Sequence, residues 1–163
     1  MAVEEKLVSL LKENNMIITT VESCTGGLLA SKIVNVSGAS SVFYEGFITY
    51  ANSAKEIYAG VFKETLDKYG AVSSQVAMEM VQGASKKTGA DVAVSVTGIA
   101  GPDGGTEEKP VGLVYIGCYV KGKTEFKKCY FKGNRLKVRE DSVKAALFFT
   151  IECIEKYLIE GRK

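Results

Sequence analysis

Val3, Leu7, Leu10 and Leu11 recur at helical spacing, and Asn14-Asn15 closes that first helix. The apolar run Met16 to Val21 predicts a strand over 16–22, with a short helix to follow over about 26–35. Ser37-Gly38-Ala39 turns the chain into a second strand, Val42 to Tyr50. A brief helix over about 53–59 ends at Gly60, and another runs from Lys63 to Lys68, stopping before Gly70. Ser73 or Ser74 caps a longer helix with Val76, Met80 and Ala84 on one face and Gly89 at its end. Asp91 to Val96 reads as a buried strand and opens into the longest loop, Thr97 to Pro110. Val111 to Val120 and Thr124 to Phe131 form a hairpin about Lys121-Gly122. The last helix, about Asn134 to Ile159, carries Val143, Leu147, Ile151, Ile154 and Leu158 as its core stripe. Strands alternating with helices predict an α/β chain, a single-domain layered fold over 1–163 with a mixed β-sheet flanked by helices.

Composition narrows the function classes. The chain has 163 residues, 46% hydrophobic and 25% charged, which is ordinary for one globular domain with a sizeable core. A net charge of +2 leaves no electrostatic footprint for nucleic acid, so no nucleic-acid partner is expected. No apolar stretch is long enough to span a membrane, and MAVEEKLVSL lacks the basic start and apolar centre of a signal peptide. The expected location is cytoplasmic, with no membrane partner. Cys24, Cys118, Cys129 and Cys153 show no CxxC spacing, and there is no histidine to complete a zinc site. With Lys121-Gly122 as the turn, Cys118 faces Glu125 and Cys129 faces Val114. Those sulfurs then lie roughly 13 Å apart along the ladder, too far for a disulfide.

Candidate chemistry centres on Glu22-Ser23-Cys24-Thr25-Gly26-Gly27, a small-residue turn between a strand and a helix start. Free N–H groups at a helix N-terminus can hold an oxyanion beside a nucleophile there. The plain alternative is that Ser23 caps the helix and Cys24 is a buried structural thiol. With no histidine in the chain, a Ser-His or Cys-His pair is excluded, so any base must be another residue. Lys55 is the most telling partner. Ser53-x-x-Glu56 has the form of a capping box, which makes Ser53 the N-cap and Lys55 the second helical residue. The positive helix end and partial burial both push its amine toward neutrality, whereas an exposed lysine would simply extend into water. Thr97-Gly98-Ile99-Ala100-Gly101-Pro102-Asp103-Gly104-Gly105-Thr106 is neither a Walker A loop nor a dinucleotide loop. Its glycines permit left-handed backbone and close approach of N–H groups to a ligand. Asp103, Glu107 and Glu108 sit in a solvated turn, so no metal is expected. Arg139 falls on the face of Val143 and Leu147 and needs a partner, either an acidic side chain or a ligand phosphate or carboxylate. Arg135, one turn earlier, is the weaker candidate. Turns 22–27, 50–55 and 97–106 all follow strands and can converge on one crevice at the strands' carboxyl ends.

Four stretches together resemble the CinA C-terminal domain family: Glu22 to Gly27, Gly46 to Lys55, Gly70-Ala71-Val72-Ser73, and Ser95 to Gly105. The resemblance covers nearly the whole chain and is to the family's short, stand-alone form, the PncC type. It implies hydrolysis of the amide of nicotinamide mononucleotide to nicotinic acid mononucleotide and ammonia, without metal or cofactor. It carries over Ser23 as nucleophile and Lys55 as base, places Tyr50, Thr97 and Arg139 in the site, and suggests a homodimer. In the resulting scheme the Cys24 and Thr25 amides or the Thr97 hydroxyl hold the oxyanion, and Tyr50 orients Lys55 or flanks the pyridinium. Thr25, Gly26, Gly98, Gly101, Gly104, Gly105 and Arg139 contact the nucleotide, with Arg139 and the glycine loop both candidates for the 5′-phosphate. Two other readings stand beside it: a non-catalytic nucleotide- or protein-binding module, and a cysteine amidase built on Cys24.

Overall fold

The structure, a computed structural model, describes residues 1–162. Its order is α1 (Val3–Glu13), β1 (Ile18–Glu22), α2 (Leu28–Val34), a 3₁₀ turn (Ala39–Ser41), β2 (Phe43–Ile48), α3 (Asn52–Ala59), α4 (Lys63–Tyr69) and α5 (Ser74–Thr88). β3 (Val92–Gly98), β4 (Leu113–Val120), β5 (Lys123–Tyr130) and α6 (Arg135–Glu160) complete it. The five strands lie in the order β2-β1-β3-β4-β5. β1 runs parallel to both β2 and β3, and β4 is antiparallel to β3 and β5. The sheet is mixed and flanked by helices, as the alternating pattern predicts.

Strand alternation sorts the side chains into two cores. Ile18 of β1 and Val92, Val94 and Val96 of β3 join Leu7 and Leu11 of α1, Leu29 and Ile33 of α2, and Leu147 and Ile154 of α6. Val21 points the other way, into a smaller core with Ala59, Val61, Leu66, Val76 and Met80 under α3, α4 and α5. Each fully buried aliphatic side chain contributes about 1.5–3 kcal/mol, and truncating one such as Leu147 to alanine costs about 2–5 kcal/mol. The same alternation carries Ser95 and Thr97 to the α5 side, where the Ser95 hydroxyl donates to the Ala77 carbonyl. Close backbone contact joins α3 to α5: a Cβ at Gly83 would lie 1.7 Å from the Ala59 carbonyl oxygen. Only glycine permits that crossing.

Several boundaries move for physical reasons. β3 continues through Thr97 to Gly98, which pairs with Val114. Gly98 is needed there for its size, since a Cβ would lie 2.8 Å from the Leu113 carbonyl oxygen. α2 begins at Leu28 rather than 26, because Gly26 and Gly27 take φ of 55° and 103° and keep the chain in a turn. Ser73 is the cap of α5, its hydroxyl accepting from the Val76 amide. The hairpin register sets Cys118 opposite Glu125 and Val114 opposite Cys129, and all four thiols are free. Among the described residues no helix is long and apolar enough to cross a membrane.

Candidate active site

The last residue of β1 and the one after it part their side chains to opposite faces of the sheet. Glu22 turns toward α2, where its fully buried carboxylate accepts from the Leu29 amide at 2.8 Å and the Ala30 amide at 3.1 Å. It thereby occupies the donors at the start of α2, a role for which a carboxylate suits the positive helix end. The next residue, Ser23, faces α3. Its amide is held by the Val96 carbonyl of the neighbouring strand, and its side chain is only 8% exposed. Ser23 is therefore not the helix cap; Gly27 stands at that position, without a side-chain bond. The start of α2 is closed to ligands, but the Cys24 amide, on the cleft wall, donates to no other residue among the described ones.

Lys55 is the largest fully buried side chain among the described residues, at 1% exposure. Its Nζ donates to the Thr49 carbonyl at 2.7 Å and the Tyr50 carbonyl at 3.2 Å, and lies 2.9 Å from Ser23 Oγ. An ammonium has three donors, so these three oxygens match the charged form. Once a proton is lost, the two carbonyls hold the two remaining N–H bonds and the lone pair faces Ser23. Burial lowers the amine from 10.5 to about 8. The helix-end argument for that shift does not apply. The cap of α3 is Ala51, with no side-chain cap bond and no Ser53 capping box, so Lys55 sits a full turn inside the helix. Desolvation alone lowers it.

Ser23 and Lys55 open onto a cleft of about 270 Å³. Cys24, Tyr50, Thr97, Gly98, Gly101 and Gly104 also line it, so all three strand-end turns converge there. Thr25, Gly26, Gly105 and Arg139 do not line the cleft. Thr97 donates its hydroxyl proton to the Ala71 carbonyl at 2.8 Å, which fixes the 71–72 wall and leaves no proton for an oxyanion. Tyr50 contacts Lys55 through its carbonyl, not its ring. The ring is 62% exposed at the mouth, its hydroxyl accepting from Arg135 at 2.9 Å. Gly105 is small for a different reason, since a Cβ would lie 2.8 Å from the Val111 nitrogen.

The two arginines exchange their expected places. Arg139 needs no acid: its Nε donates to the Cys24 carbonyl and an Nη to the Thr25 carbonyl, both at 3.0 Å. It braces the Ser23-Cys24-Thr25 turn from behind; Gly26 is needed there for its φ of 55° rather than for room, since a Cβ would make an ordinary contact 3.5 Å from the guanidinium. Arg135 is the one that lines the cleft. Sequence periodicity groups both on one helix face and cannot show that α6 starts at the cleft mouth. Ala71, Val72, Ile99 and Ala100 are further wall residues, all within stretches that carry the family resemblance but none singled out as site residues. Cys24 is 6% exposed and burial pushes its thiol up to about 11, which opposes thiolate chemistry at neutral pH. A larger groove of about 570 Å³ between α3 and α5 is lined by Ile57, Tyr58 and Phe62 and holds no serine or cysteine paired with a buried amine, so the smaller cleft is the candidate site. Among the described residues, no three cysteine or carboxylate side chains are grouped to hold a metal.

The sequence and fold match known proteins. A family model described as the CinA C-terminal domain matches residues 1–154. A CinA-like protein of Kosmotoga olearia is 56% identical over 148 residues, 91% of this chain and 36% of that protein. A Clostridium novyi protein described as competence-damage inducible is 57% identical over 144 residues, 88% of this chain and 35% of that one. The chain thus spans about a third of the length of these curated relatives. Among solved structures, the competence/damage inducible protein CihA of Agrobacterium tumefaciens aligns with a TM-score of 0.88 at 39% identity, covering 93% of this chain and 96% of that one. A CinA superfamily protein of Klebsiella pneumoniae aligns at 0.91 and 30% identity, covering 94% and 96%.

Proposed function

This chain belongs to the CinA C-terminal domain family, and from that premise we propose that it is an amidohydrolase that converts nicotinamide mononucleotide to nicotinic acid mononucleotide and ammonia. One observation carries the reading: a buried lysine amine, lowered to about 8, lies 2.9 Å from a serine hydroxyl at the floor of a cleft. Neutral Lys55 takes the Ser23 proton as Oγ attacks the carboxamide carbon. The Cys24 amide, on the cleft wall, receives the oxyanion, on a turn that Glu22 and Arg139 hold rigid from two sides. As the C–N bond breaks, the Lys55 ammonium returns its proton to the departing nitrogen, which leaves as ammonia. Water then attacks the acyl-serine, Lys55 takes a proton from it, and release of the carboxylic acid restores the Ser23 hydroxyl. Every step uses the chain's own groups and water.

The experiment is ammonia release from nicotinamide mononucleotide by purified protein, with Ser23→Ala and Lys55→Met alongside. Turnover by the native chain that is lost in both variants supports the reading. Turnover that survives Ser23→Ala but is abolished by thiol alkylation would assign the chemistry to Cys24. A folded native chain that binds the nucleotide without releasing ammonia would make it a binding module.

A further inference from the structure

Resting on that reading of the cleft, we propose that Arg135, together with the Tyr50 hydroxyl, is the clamp that recognises a phosphate monoester on the substrate and so sets the preference for a nucleotide over its nucleoside. Three cations are candidates for an anionic group near Ser23, and geometry separates them. Lys55 is buried and fully engaged by Ser23 and two carbonyls. Arg139 is turned away from the cleft, with its guanidinium on the Cys24 and Thr25 carbonyls. Arg135 alone combines exposure, a place on the cleft wall and no carboxylate partner among the described residues.

Its existing bonds aim it. One Nη donates to the Gly101 carbonyl at 2.8 Å and the other to the Tyr50 hydroxyl at 2.9 Å. A guanidinium carries five N–H donors in a rigid fork, so donors remain for a phosphate. Tyr50 accepts from Arg135, which leaves its own O–H proton to donate. The two side chains thus present N–H and O–H donors side by side on the cleft wall. Arg135 is also the first residue of α6, whose 26 residues add a positive end to the same place. Asp103 is the one carboxylate on the wall, and among the described residues no ion pair joins it to Arg135.

The test is a specificity split on the full chain. Rates with nicotinamide mononucleotide and with nicotinamide riboside, which lacks the phosphate, are compared for the native protein, Arg135→Gln and Arg135→Lys. A charge-assisted hydrogen bond is worth about 1.5–3 kcal/mol, or roughly 10- to 100-fold. We expect Arg135→Gln to raise KM for the mononucleotide by that factor, with kcat nearly unchanged and riboside kinetics untouched. Arg135→Lys restores part of the affinity, since it keeps the charge and loses the fork. Native preference retained in Arg135→Gln overturns the proposal. Equal losses on both substrates also overturn it, because they would mean that Arg135 only moors the Gly101 loop. If the native chain releases no ammonia from either amide, the hydrolase reading fails, and the clamp is decided by calorimetry with ribose 5-phosphate. Binding by the native chain that Arg135→Gln abolishes then supports it; no binding, or equal binding by both, overturns it.

Discussion

Two small-residue turns meet at the cleft, and they are held in opposite ways. The Ser23-Cys24-Thr25 turn is buried, at 8%, 6% and 0% exposure, and is tied from one side by the Glu22 carboxylate and from the other by the Arg139 guanidinium. The loop after β3 is exposed from 102 to 108, and one end is moored through the Arg135 bond to the Gly101 carbonyl. The difference separates two tasks. On the proposed reading Ser23 is a nucleophile that must be held to a fraction of an ångström, and its turn is locked by charges inside the fold. A surface that meets a substrate's outer groups gains from adjustment, so its loop stays in solvent.

The largest effect that separates the two turns comes from the pair itself. Ser23→Ala or Lys55→Met should lower ammonia release by about 10²–10⁴, whereas Glu107→Ala in the exposed loop, outside the cleft lining, should leave kcat nearly intact; a steady-state ammonia assay reads both. Next comes Arg139→Ala. It leaves the carbonyls of Cys24 and Thr25 without their donors, at about 1–3 kcal/mol for each buried group. Calorimetry should show Tm falling by roughly 2–4 °C per kcal/mol in a domain of this size, and kcat should fall with it. Arg135→Gln, by contrast, should barely move Tm.

The pH profile sharpens the contrast further. kcat/KM should rise about tenfold per pH step below about 8 and level above it, as Lys55 loses its proton. Stability has its own sign. Folding lowers this amine from 10.5 to about 8, so between those values the unfolded chain holds a proton that the folded chain has released. Stability therefore climbs with pH across that window, and below about 8 the full penalty of about 3 kcal/mol applies. Lys55→Met should consequently raise Tm at neutral pH while removing activity; a lower Tm would show that the ammonium's three hydrogen bonds outweigh its burial. The smallest effect is expected at Cys24. Cys24→Ala should hold activity within about twofold, and alkylation of the buried, protonated thiol should be slow.

The layered fold is legible in the sequence wherever one periodicity acts alone. The α6 stripe of Val143, Leu147, Ile151 and Ile154 is buried as spaced, and the hairpin turns at Lys121-Gly122, with φ of 43° and 94°. Convergence of Ser23, Lys55 and Tyr50 follows from the strand-end rule. Legibility stops where local patterns imitate one another. Ser53-x-x-Glu56 has the lettering of a capping box, yet Ala51 caps α3, because the chain leaving Thr49 and Tyr50 must aim both carbonyls at Lys55. Glu22 reads as a charged end of a strand. Its burial depends on α2 folding back over it, a tertiary event with no local signature. Arg135 and Arg139 share a helix face, and only the packing of α6 against the Ser23 turn decides which of them reaches the cleft.

Gly83 of α5 touches nothing in the cleft, yet the backbone of α3 rests directly on it at Ala59. A single added methyl there would lever α3 aside and carry Lys55 away from Ser23, leaving every cleft residue chemically unchanged. Mutational maps of this domain will thus hold a silent blind spot for any ranking by distance from substrate: one of the least tolerant positions lies on α5, outside the cleft lining.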